Sequence, residues 1–192
     1  MKIGIIVAMD KELQQLQHLF TDGNVVVEKC GIGKVNAALG VAEMIRRHRP
    51  DVIVSSGCAG GNGDDIHVQD VVVGAEVSYH DVYCGTSIDQ TIVYGQVQGM
   101  PARYKADEQL MAKACRVKCE GFSVQPGLIV TGDWFVDSKD KMRDIISHFP
   151  VINTDSVLRI NRNSTSRAVS AGEQTLCEQT LHLLYAALVS SL

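Results

Sequence analysis

Residues 51–61 read DVIVSSGCAGG, an apolar run that breaks into a glycine-rich loop. Val52, Ile53 and Val54 form a short β-branched stretch between polar residues, which suits a strand buried in the middle of a sheet. Loops at the carboxyl ends of such strands are where open α/β sheets bind ligands. Gly57, Gly60 and Gly61 carry no Cβ, so backbone groups there can approach a bound molecule closely.

The same alternation extends in both directions. Residues 2–8 (KIGIIVA) predict a first strand, and Leu13, Leu16 and Phe20 follow at helical spacing. Thr21-Asp22-Gly23-Asn24 is a turn signal before a second strand that starts at Val25. Gly31-Ile32-Gly33 leads into a helix over 34–48, with Val35, Ala38, Val41, Ala42 and Ile45 as its apolar face and Pro50 as its stop. Further strands are expected at 71–77, near 91–94 and at 127–131. Helices are expected at 106–119, 138–149 and 172–192, with short apolar runs at 151–154 and 157–160. Strands alternating with amphipathic helices predict an α/β protein with a parallel or mixed, helix-covered sheet. A length of 192 residues fits one well-cored domain spanning 1–192.

Composition excludes several function classes. A net charge of −4 disfavours nucleic-acid binding, which needs clustered cations to displace counterions. The basic run Arg46-Arg47-His48-Arg49 sits at a helix end, where it complements the helix dipole. No run approaches the roughly 18 apolar residues of a membrane span, and Asp10 and Lys11 cut short the first apolar stretch before it resembles a leader. The six cysteines lack a CxxC pair and the six histidines lack ligand spacing, so neither a metal nor another cofactor is expected. Reduced thiols in a cytoplasmic protein are the expectation.

Four stretches, in order, carry a resemblance: MKIGIIVAMDKE (1–12), CGIGKVNAALG (30–40), PDVIVSSGCAGG (50–61), and YKADEQL with GLIVTGDWFV (104–110 and 127–136). Together they resemble the bacterial 5′-methylthioadenosine/S-adenosylhomocysteine nucleosidases of the purine nucleoside phosphorylase/hydrolase superfamily. The resemblance implies a three-layer αβα fold with a mixed central sheet, nucleoside phosphorylase/hydrolase-like. It implies a nucleoside substrate and a homodimer, with residues 80–104 near the interface. Glu12 would be the base that activates water. Met9, Ile32, Cys58, Ala59, Gly60, Phe135, Val136, Asp155 and Arg159 would surround the substrate, and Glu12 would face the same cavity as Gly60 and Phe135. Cleaving the bond from ribose C1′ to adenine N9 builds an oxocarbenium-like sugar, so such a site needs a base, charge shielding and help for the departing base. A carboxylate beside the attack position repels phosphate, which favours hydrolysis over phosphorolysis. Cys58 stands where the family has Ser, Trp134 replaces a small residue, and His80-Asp81 matches a family dipeptide read as structural.

The pattern departs from the family after Asp155. Ser156-Val157-Leu158-Arg159 follows at once, so the Met-Glu that holds the ribose hydroxyls and the helix after it are missing. Arg159-Ile160-Asn161-Arg162-Asn163 then aligns with Arg-x-x-Ser-Asp, which places Asn163 where the family has its proton donor. An Asn amide donates a hydrogen bond but has no titratable proton. Three readings stand open: an active nucleosidase with Asp155 as substitute acid, a weakened or inactive nucleoside-binding homologue, and another purine nucleosidase or phosphorylase.

Overall fold

The computed structural model describes residues 1–20, 23–62, 67, 70–85, 90–118, 121–149 and 157–160. Asp155, Asn163 and the expected 172–192 helix lie outside the described residues. The chain divides into two compact units that meet in sequence between Cys58 and Ala59.

In the first unit, β1 (Ile3–Val7), α1 (Asp10–Leu16), β2 (Val25–Lys29), α2 (Lys34–His48) and β3 (Val52–Ser55) alternate as the sequence predicts. β1 is the central strand of a three-stranded parallel sheet ordered β2-β1-β3, with Ile3 opposite Val25 and Val52. That position explains why all five residues of β1 are buried. Each large apolar side chain buried there contributes about 1.5–3 kcal/mol. Parallel pairing brings the carboxyl ends of β1 and β3 side by side, and Ser56 N extends the ladder by donating to Ile6 O at 3.0 Å.

α2 has its expected bounds, but a different face meets the sheet. Val35, Leu39 and Ile45 are 71%, 65% and 50% exposed, whereas Met44 is fully buried. Close approach of helix to strand is the reason. A Cβ on Gly40 would lie 2.3 Å from Cys30 Cβ, and one on Gly4 would lie 3.0 Å from Met44 Sδ. Glycines at both contacts let the helix settle where a conventional apolar stripe would hold it away.

The second unit holds β4 (Gly60–Asn62), β5 (Val71–Tyr79), β6 (Tyr104–Lys105), α3 (Glu108–Ala114), β7 (Val124–Thr131), α4 (Lys139–His148) and β8 (Val157–Ile160). Its sheet is mixed and ordered β4-β8-β7-β5-β6; β7 runs parallel to both neighbours, while the two outer strands are antiparallel. α3 starts on Asp107, whose Oδ1 accepts the N–H of Gln109 and Leu110, and α4 starts on Ser138, whose hydroxyl accepts from Lys141 N. Leu128, Val130, Val136, Met142, Ile145 and Phe149 form the core beneath α4.

The strand expected near 91–94 is instead a series of turns. Local bonds win there: Val93 N donates to Gln96 Oε1, Gly95 N to Val82 O, and Gly95 takes φ 85°. Among the described residues no helix is long and apolar enough to cross a membrane.

Candidate active site

Glu12 occupies the third position of α1 and is buried despite its charge. Burial of a carboxylate is costly unless hydrogen bonds replace water. Three backbone donors do so. Ala8 N and Met9 N each donate to Oε2 at 3.0 Å, and Cys58 N donates to Oε1 at 3.1 Å. The first two come from the turn that leaves β1 and the third from the loop that leaves β3, so the parallel register of those strands assembles the cradle. Each carboxylate oxygen offers two lone pairs. Among the described residues Oε2 accepts two of these bonds and Oε1 accepts one, which leaves Oε1 capacity for a further donor.

The bond from Met9 N is also that of a capping-box glutamate reaching back to the start of its helix. Helix capping accounts for one of the three donors. The bond from Cys58, 46 residues away, has no place in a cap and ties the carboxylate to the glycine-rich loop.

Cys58 and Ala59 are exposed, and Gly60 opens β4. The Cys58 thiol is pushed above its ordinary range, first by desolvation and then by the nearby Glu12 carboxylate. That shift opposes thiolate formation and fits a spectator rather than a nucleophile. Cys30 lies at the carboxyl end of β2, where its thiol donates to Val7 O, and it is shifted upward for the same two reasons in the same order. Ile32 is 44% exposed between Gly31 and Gly33, which take φ 94° and 96°.

Phe135 belongs to the loop after β7. β5 and β7 run parallel, with Tyr79 opposite Thr131 and His80 N donating to Thr131 O at 2.9 Å. Their carboxyl ends are therefore adjacent, and the dipeptide after β5 grips the loop after β7. Asp81 Oδ2 accepts Asp133 N at 2.7 Å. The Trp134 ring stands edge-on to the buried His80 ring, with centroids 6.3 Å apart. Gly132 makes the approach possible, since a Cβ there would lie 2.6 Å from Asp81 Cγ. Tyr94 stacks on His148 at 3.9 Å and donates to His80 O at 2.8 Å, closing the far side of the dipeptide.

Phe135 is 38% exposed, so its ring is available to a ligand. Val136 is not: at 1% exposure it packs into the core under α4, and only its backbone can serve a site. Arg159 lies on β8, opposite Gly61 of β4 and Ile129 of β7. Sequence reasoning singled out Glu12 but missed the cradle formed by Ala8, Met9 and Cys58. Backbone donors carry no residue signature. Among the described residues no group of three or more His, Cys, Asp or Glu could hold a metal ion.

The fold and the residues described above resemble those of known proteins. A family model described as the phosphorylase superfamily matches residues 2–157. The 5′-methylthioadenosine/S-adenosylhomocysteine nucleosidase of an Exiguobacterium species is 40% identical over 173 aligned positions, covering 78% of this chain and 71% of the relative. The Oceanobacillus iheyensis nucleosidase is 40% identical over 169, covering 78% and 72%. Among solved structures, the Neisseria meningitidis nucleosidase in complex with methylthio-immucillin-A superposes with a TM-score of 0.79 at 30% identity, covering 100% of this chain and 99% of that one. The Colwellia psychrerythraea nucleosidase in complex with adenine gives 0.73 at 30%, covering 93% and 77%. The fold is nucleoside phosphorylase/hydrolase-like, and the chain belongs to the phosphorylase superfamily and, within it, to the 5′-methylthioadenosine/S-adenosylhomocysteine nucleosidases.

Proposed function

We propose that this protein hydrolyses the N-glycosidic bond of 5′-methylthioadenosine and S-adenosylhomocysteine and releases adenine. One nucleosidase-like domain over 1–192 carries the reaction. The observation that carries this reading is the buried Glu12 carboxylate, held by three backbone N–H groups, two on Oε2 and one on Oε1. Water adds its oxygen to ribose C1′ and passes a proton to Glu12, while the electrons of the C1′–N9 bond leave with adenine. Phe135 offers an exposed ring for the purine face. Met9, Ile32, Cys58, Ala59, Gly60, the Val136 backbone, Asp155 and Arg159 complete the binding set in this reading.

A slow enzyme is the form of the activity that the sequence favours. Asn163 stands at the donor position, and the ribose-holding Met-Glu is missing. A cytoplasmic homodimer acting in methionine salvage completes the reading. Tyr83, Val93, Val97 and Met100, all exposed within 80–104, support a second copy covering that stretch.

The test is adenine release from methylthioadenosine by the purified chain, followed by chromatography with and without phosphate. Release that does not depend on phosphate is expected. No release, or release that requires phosphate and yields a ribosyl phosphate, overturns the reading.

A further inference from the structure

Gly57 precedes Cys58 in the loop after β3, and its missing side chain leaves space that the Glu12 carboxylate occupies. A Cβ built on Gly57 would lie 2.9 Å from Glu12 Oε1, 3.5 Å from Cδ and 3.7 Å from Oε2. The first of these is closer than carbon and oxygen tolerate. Oε1 is also the oxygen that Cys58 N holds and, among the described residues, the one with capacity for a further donor. A terminal oxygen on a flexible chain would ordinarily swing aside at little cost. Here it cannot move without giving up bonds to Ala8, Met9 and Cys58.

We infer that Gly57 is a positioning residue for the base: the absence of a side chain there sets where Glu12 Oε1 sits, and so where it can meet the attacking water. The inference rests on the reading of Glu12 as that base. Gly57 is not among the glycines with positive φ, so alanine fits its backbone. Gly57→Ala therefore adds one methyl group against the carboxylate without backbone strain, and it lowers the entropy of the unfolded chain.

A two-residue cycle on the full chain tests this, using Gly57→Ala, Glu12→Gln and the double variant with methylthioadenosine as substrate. Misplacement of a reacting group by about 1 Å costs roughly 10²-fold. Gly57→Ala should therefore lower kcat about 10- to 100-fold and leave KM within about twofold, the signature of an interaction made only in the transition state. In the Glu12→Gln background the same methyl should cost little further, because its effect runs through the base. Amide hydrogen exchange at Ala8, Met9 and Cys58 should quicken in Gly57→Ala, and this readout needs no turnover. An unchanged kcat, an equal loss in the Glu12→Gln background, or unchanged exchange at those amides overturns the inference. If the unmodified chain releases no adenine, the proposed function fails, and the exchange measurement decides Gly57 by itself. Should Gly57→Ala lower the Tm, the drop is expected to vanish when Glu12→Ala accompanies it; a drop that persists also overturns the inference.

Discussion

Glu12 shows what a residue's neighbours add to its identity. From sequence alone the carboxylate is readable both as a base and as a helix-start residue, and the structure shows the helix-start bond within a larger cradle. Its charge reaches Cys58, whose thiol is raised first by desolvation and then by that carboxylate. A raised thiol has less thiolate at neutral pH, so alkylation of Cys58 should be slow near pH 7 and accelerate only above the ordinary thiol range. Glu12→Gln removes one of the two causes. The Cys58 alkylation profile, read by mass spectrometry of its peptide with iodoacetamide, should shift to lower pH in that variant. An unmoved profile would separate the thiol from the carboxylate. Asn163 was legible as a substitution at a matched position, but its surroundings lie outside the described residues.

At the scale of elements, periodicity located α2 but misplaced its packing face. Hydrophobic spacing marks Val35 and Ile45, whereas Gly40 and Gly4, which permit the close approach to Cys30 and Met44, give no apolar signal. The 91–94 stretch failed for a related reason, since side-chain and backbone bonds within its turns outweighed the strand preference of Ile92 and Val93. The carboxyl ends of β5 and β7 were better signposted, because a family dipeptide, His80-Asp81, fell beside the aromatic loop. Asp81→Ala removes the acceptor for Asp133 N and should cost about 0.5–1.5 kcal/mol of local stability in the loop. The expected kinetic result is a raised KM for methylthioadenosine with a smaller effect on kcat. Trp134 is the chain's one tryptophan, so its fluorescence should change in the ligand-free variant. Unaltered emission together with unaltered KM would show that the clamp does not hold Phe135 in place.

The whole molecule was legible as a class before its contacts were. Alternating strands and helices indicated α/β, and the order of four motifs indicated the family that the comparisons show. The split into a parallel and a mixed sheet was not legible, since it depends on pairing between segments far apart in sequence. Asn163→Asp should raise kcat/KM by restoring a group able to carry a proton. The gain should fall short of the roughly 10²–10⁴-fold that a complete general acid supplies, because the ribose-holding carboxylate stays absent. Unchanged kcat/KM in that variant would remove residue 163 from the donor's place.

The Glu12 cradle draws every one of its donors from Met1–Cys58, so it closes before the chain reaches the region that departs from the family. With Asn163 at the donor's place, as proposed, the enzyme is chemically one-sided: it takes a proton from the nucleophile through Glu12, and solvent supplies the proton for the leaving group. Buffer then ceases to be an inert medium: its acid form becomes a reactant, and turnover rises with the concentration of small acids able to enter the site.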